Sequence, residues 1–220
     1  MKKIYLLISI FSINTIAADY EPYESSYEPL PYTNTIFRNA NIYDGDGKEF
    51  IDTDIIIQDG KIIAIGKDLP VSNDLIAVDA TGKWITPGII DIHSHMGVYP
   101  APSVKTSSDG NEATSPVTAE VWAEHSIWTQ DPQFALALKG GVTTFHVLPG
   151  SANLIGGRGV TAKNLQRNTI NSMKFPDAPH SLKMACGENP KRVYGNRGQS
   201  PSTRMGNIAG YRKSWIKAEG

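Results

Sequence analysis

Hydrophobic and polar positions change texture several times along the chain. From Thr35, "TIFRNANIYDGDGKEF" and "DIIIQDGKIIAIGKDL" set short β-branched runs between Asp-Gly and Gly breaks. Asp59-Gly60 lies between Ile55-Ile56-Ile57 and Ile62-Ile63, which predicts a hairpin with a tight turn. Further strands are expected over Leu75–Val78 and Lys83–Thr86. Together these runs describe a small antiparallel β unit.

After Pro87 the pattern switches to strands alternating with helices. Ile89–His95 reads as a buried strand, and Val142–Leu148 and Ser181–Cys186 as two more. Ser115-Pro116 and Asp131-Pro132 each place proline where a helix tolerates it, in the first turn. Gly140-Gly141 closes the second of these helices. Thr203 caps a last helix with Met205, Ile208, Ala209, Trp215 and Ile216 on one stripe. Strand, helix, strand in this order predicts a parallel α/β layout.

The N-terminal stretches differ from both. Lys2 and Lys3 precede a mostly apolar Ile4–Ile16, and small residues follow at Ala17 and Ala18. Residues 1–18 therefore read as a signal peptide, shorter than the roughly 20 apolar residues of a membrane span. A periplasmic or secreted protein, with no stable membrane insertion after cleavage, is the expectation. Residues 19–34, rich in Pro, Tyr, Glu and Ser, read as an extended linker.

Composition adds exclusions. The 220 residues are 40% hydrophobic with a formal charge of -1, an ordinary globular balance. Acids dominate Asp19–Gly60 and bases Ser181–Gly220, without a dense run of one sign, so no nucleic-acid partner is expected. Cys186 is the single cysteine, which rules out an intrachain disulfide.

The chemistry concentrates in "TPGIIDIHSHMGVYP". Alternate strand residues share a face, so Asp91, His93 and His95 point one way and Ile90 and Ile92 the other. Two imidazoles roughly 7 Å apart along a strand can converge on one cation. A metal also satisfies a buried imidazole that is otherwise costly, and Asp91 is placed to orient a ligand.

"DGKIIAIG" followed by "VDATGKWITPGIIDIHSHMG" resembles the start of the amidohydrolase superfamily. "GGVTTFHVLPGSANLIGGRG" and "LKMACGENPKRVYG" extend the likeness and are similar to the exported, imidazolonepropionase-related branch. The resemblance implies an incomplete TIM-type (β/α)8 barrel over residues 88–220, preceded over 35–87 by the N-terminal part of a small β-sandwich. It implies a metal-dependent hydrolase of small molecules, acting on carbon–nitrogen bonds other than protein peptide bonds. The cofactor is one or two divalent ions, with zinc expected. His93 and His95 become ligands, with Lys183, carboxylated, or Glu188 as the next. Either of those two also has a structural role open to it: Lys183 at the solvent, Glu188 in an ion pair with Lys191 or Arg192.

The same resemblance implies later histidines and a catalytic aspartate beyond residue 220. Only 133 residues follow Pro87, against about 250 for a whole barrel. The chain thus reads as the N-terminal portion of an enzyme, inactive by itself. The loop "PGSANLIGGRG" is expected at the catalytic mouth, with Ser151, Asn153, Gly156 and Gly157 near substrate, and Arg192 is a candidate for a substrate carboxylate. That loop lacks the pattern of a phosphate loop or dinucleotide fingerprint. His146 is assigned to packing or ligand support, His125 to structure and His180 to the surface. The competing readings are a secreted metal-binding scaffold without turnover and a prolidase-like dipeptidase.

Overall fold

The structure is a computed structural model and describes residues 23–220. The signal-peptide reading of residues 1–18 and the start of the expected linker lie outside the described residues. Residues 23–34 form no helix or strand, yet they are tied down. Ser26 N–H donates to the Asn171 carbonyl at 2.9 Å, and Ser25 Oγ to the Lys174 carbonyl at 2.8 Å.

The first sheet contains β1 (Thr35–Tyr43), β2 (Glu49–Gln58), β3 (Lys61–Gly66), β4 (Ile76–Asp79) and β5 (Trp84–Ile85). Asp59 and Gly60 both take positive φ, 49° and 72°, the conformation a two-residue hairpin needs. β1, β2 and β3 are antiparallel as expected. β4 and β5, however, pair with β1 in parallel, so the unit is mixed. After β3 the chain crosses to the far side of β1, giving the order β3-β2-β1-β4. Ala40, Ile42, Ile55 and Ala80 are buried at its centre, with Phe37, Phe50 and Ile85 against them.

The second sheet has the order β6-β7-β8-β9, from β6 (Ile89–Ser94), β7 (Val142–Val147), β8 (Ile155–Lys163) and β9 (Ser181–Met184). β6 and β7 are parallel and joined through α1 (Pro132–Lys139). β8 is antiparallel to both neighbours, which corrects the all-parallel expectation. It arises from "LIGGRGV", whose glycines suggested only a loop; the loop ends at Leu154.

The expected helix at Ser115-Pro116 does not form. Its backbone bonds to β8 instead: Thr118 N–H donates to Ile155 at 2.9 Å, and Arg158 N–H to Val121 at 2.8 Å. The following Ala123–Ser126, with His125, makes one 3-10 turn.

Along β7, Phe145 and Val147 point to one side and join Met96, Val98, Phe134, Val160, Ala162 and Met173 in a buried core. β6 lies at the sheet edge rather than in the interior, so Ile90 and Ile92 are 63% and 77% exposed, against the expectation of a buried strand. Two helices close the described chain, α2 (Glu188–Gly195) and α3 (Arg204–Glu219). Thr203 Oγ1 accepts from Gly206 N–H at 3.1 Å, the cap its position predicted. The apolar stripe of α3 faces outward, while Asn207 is its buried residue.

Candidate metal centre

The site is built on the open face of the second sheet, opposite Phe145 and Val147. His93 and His95 lie at the end of β6, their ring centroids 5.2 Å apart and nearly perpendicular. Asp91 accepts the His93 N–H at 3.1 Å, a short loop-like contact that fixes the backbone between them. Beyond His95 the chain turns sharply, with the Val98 and Tyr99 N–H groups both donating to the His95 carbonyl. Asp131 secures that turn. Its buried carboxylate accepts from Gly97 N–H at 2.9 Å and from Gln133 N–H at 3.0 Å, so one residue caps α1 and anchors the histidine strand.

Hydrogen bonds indicate which ring nitrogen of each histidine carries a lone pair. His95 Nδ1 lies 2.8 Å from the Leu148 carbonyl, which only accepts, so Nδ1 carries the proton and Nε2 the lone pair. His93 Nε2 lies 3.2 Å from Lys183 Nζ, which when charged only donates, so this Nε2 also presents its lone pair. A carbonyl holding the far nitrogen is the usual support of a ligating histidine.

Electrostatics point the same way. The Lys183 ammonium depresses the His93 pKa, helped by burial and by His95 and opposed by Asp91. Burial in turn lowers the Lys183 pKa from its ordinary 10.5. Two imidazoles and a side-chain amine are donors that suit a borderline-soft divalent cation. Among the described residues no group of three or more His, Cys, Asp and Glu side chains converges. Lys183 is thus the third group brought to the pair.

Glu188 has another partner. Exposed at the start of α2, it accepts from Arg192 Nε at 3.1 Å, an i,i+4 pair along the helix. Arg192 also reaches Asn189 Oδ1 at 3.3 Å, and Asn189 Nδ2 donates to Ser151 Oγ at 2.7 Å. Ser151 and Arg192 therefore lie on one chain of contacts joining α2 to the loop after β7.

Asn153 is 1% exposed. Its amide donates to the Glu112 carbonyl and to Thr118 Oγ1, each at 2.7 Å, and its oxygen lies 2.5 Å from Tyr194 Oη. This corrects its assignment to substrate contact: it holds the loop from behind. Gly157 is also a packing position, since a Cβ there would lie 2.6 Å from the Val121 carbonyl oxygen. Gly156 borders Lys183 Cγ and lines a cavity of about 270 Å³ with Val98, Asn111, Trp122 and Pro149.

Two contributors were missed. Tyr99 presents its ring edge to His95 at 5.6 Å, and Asn111 bonds its hydroxyl. The sequence offered no signal for Tyr99 beyond its spacing of four from His95. His146, assigned only a supporting place, turns out to bridge Thr161 Oγ1 and Ser181 Oγ at 2.9 and 2.6 Å. His180 is exposed with its ring against Trp122, and His125 is exposed beside buried Glu124.

Comparison with known proteins gives the site a context. No family model matches the chain. The solved amidohydrolase from Thermotoga maritima MSB8 is 41% identical, with a TM-score of 0.77 over 84% of this chain and 47% of that one. The likeness is to the amidohydrolase superfamily. "Amidohydrolase tasK" of Hapsidospora irregularis is 34% identical over 203 residues, covering 87% of this chain and 20% of that protein. A dihydroorotase of Ligilactobacillus salivarius is 41% identical over 63 residues, 28% of this chain and 14% of that protein. The chain thus spans a fifth or less of these two relatives and just under half of the Thermotoga amidohydrolase. Among the described residues no helix is long and apolar enough to cross a membrane.

Proposed function

We propose that the chain carries the metal-binding part of an amidohydrolase that hydrolyses carbon–nitrogen bonds in small molecules, cyclic amides among them. The observation that carries this reading is the convergence of His93, His95 and Lys183 with both Nε2 lone pairs presented. His93 and His95 would hold a divalent ion, zinc being the best match to imidazole donors, and Lys183 would join them as a neutral or carboxylated amine. When bound, such an ion supplies Lewis acidity, polarising a carbonyl and acidifying water.

The protein's own part is orientation. The Leu148 carbonyl fixes the His95 tautomer, and Asp91 and Asp131 hold the strand end on which both rings sit. The 270 Å³ cavity lined by Gly156, Asn111 and Trp122 is bordered by none of His93, His95 and Lys183, so it adds nothing to this reading. A barrel completed by further chain, kinship with the imidazolonepropionase-related branch and export through residues 1–18 belong to the same proposal. The first two rest on the sequence likeness, and export on the charged start and apolar run of residues 1–18.

The test is zinc titration of the purified protein by calorimetry. Stoichiometric zinc binding that His93→Ala and His95→Ala each abolish is expected. Zinc binding that survives both changes, or its absence from the unaltered protein, would refute the reading.

A further inference from the structure

The half-buried His146 has a geometry that simple packing does not require. It projects from β7 to the open face, and its ring straddles β8. Nδ1 meets Thr161 Oγ1 on β8 itself, while Nε2 passes over Gly159 to reach Ser181 Oγ on β9 at 2.6 Å. The passage exists only because position 159 has no side chain. A Cβ there would fall 2.8 Å from His146 Nε2 and 2.6 Å from Ser181 Oγ. Gly159 pairs with Ser181, and Lys183 follows two residues later on the same face of β9.

β9 needs such a tie. It has four residues, and its ladder with β8 shifts register between Ile155 and Gly157. A short strand with a shifted ladder is weakly held in register. Yet Lys183 must reach His93 Nε2 across the whole face, from one edge strand to the other.

We propose that His146 is a positioning residue: its clasp on Thr161 and Ser181 sets the register of β9 and so presents Lys183 to the His93–His95 pair. The inference rests on the metal-site reading for its consequence, but the clasp itself has a readout without metal. Loss of support around a metal ligand commonly costs ten- to a hundredfold in affinity.

The experiment compares wild type, His146→Leu, Ser181→Ala and the double variant, each checked for folding by its thermal transition. Hydrogen exchange of the β9 amides is measured in metal-free protein, and cobalt(II) binding by calorimetry and visible absorption. The expected result is β9 exchange about tenfold faster in either single variant, cobalt affinity about tenfold weaker with altered absorption bands, and no further loss in the double variant because both changes break one contact. If His146→Leu fails to fold, Ser181→Ala decides alone, since it removes one hydroxyl. Folded variants with wild-type β9 exchange and an unchanged cobalt spectrum would overturn the clasp. Wild type that binds no cobalt through His93 and His95 would overturn the metal reading instead, and the β9 exchange would still decide the clasp.

Discussion

The two sheets treat their polar side chains in opposite ways. In the first, buried Asp54 is saturated: Arg38 pairs with it, Asn39 N–H donates at 3.0 Å and Leu69 N–H at 3.1 Å. Every contact is made inside the sheet's own surroundings, so the group holds β1, β2 and the chain after β3 together. In the second, His93, His95 and Lys183 come together on an open face: Lys183 Nζ lies 3.2 Å from His93 Nε2, and the His95 ring stands 5.2 Å from that of His93. A polar cluster whose every bond is made within the scaffold is architecture, whereas one gathered on an open face with a ring nitrogen still unpaired is prepared for a ligand.

The sharpest way to break this comparison is to disturb each sheet and ask whether the metal notices. Gly157→Ala should do the larger damage. At φ 115° a side chain is strained, and its Cβ would meet the Val121 carbonyl oxygen at 2.6 Å and press on Val121 Cγ2. The expected loss is about 3 kcal/mol, read by urea denaturation, together with weaker zinc binding because Gly157 pairs with Lys183. Asp54→Ala should cost about 2 kcal/mol through its lost charged hydrogen bonds. The zinc affinity of the folded protein should stay at the wild-type value. Weakened zinc binding in Asp54→Ala would show that the two sheets are not separable in this way.

Much of the scaffold was legible because local chemistry dictated it. Asp59-Gly60 permits little but a tight hairpin turn, and Asp131-Pro132 caps α1 as capping rules require. The histidine pair was legible because strand alternation places both rings on one face. β8 was not. Gly156, Gly157 and Gly159 are there because neighbouring groups need the space, and that pressure comes from residues distant in sequence. The direction of β4 and β5 was hidden for a related reason, since a short strand carries no mark of which neighbour it joins. Between Lys183 and Glu188 the choice was likewise tertiary: one reaches His93 across four strands, and the other pairs with Arg192 one helical turn away.

The smallest expected effect separates the sheets by pH. Burial lowers the His146 pKa below its ordinary 6.5, with nearby His93 adding to the shift. As pH falls through 6.5 the unfolded chain therefore takes up a proton before the native ring does. Stability declines from there until the native imidazole is also charged. His93, shifted the same way, adds to this decline. Asp54 behaves in the opposite sense. Burial alone would raise its pKa, but the Asn39 N–H, the Arg38 guanidinium and the Leu69 N–H outweigh it and hold the carboxyl below its ordinary 3.8. Its contribution is whole above 3.8 and is lost only as pH falls through the lower native value. Thermal melts of the metal-free protein from pH 7.5 to 3 should thus show two stages. His146→Leu should flatten part of the upper stage and leave the lower, while Asp54→Ala should flatten the lower and leave the upper. If His146→Leu left the slope between pH 6.5 and 5 untouched, the half-buried imidazole would not be held neutral by its place in the sheet, and the contrast between a saturated scaffold and a poised site would lose its electrostatic half.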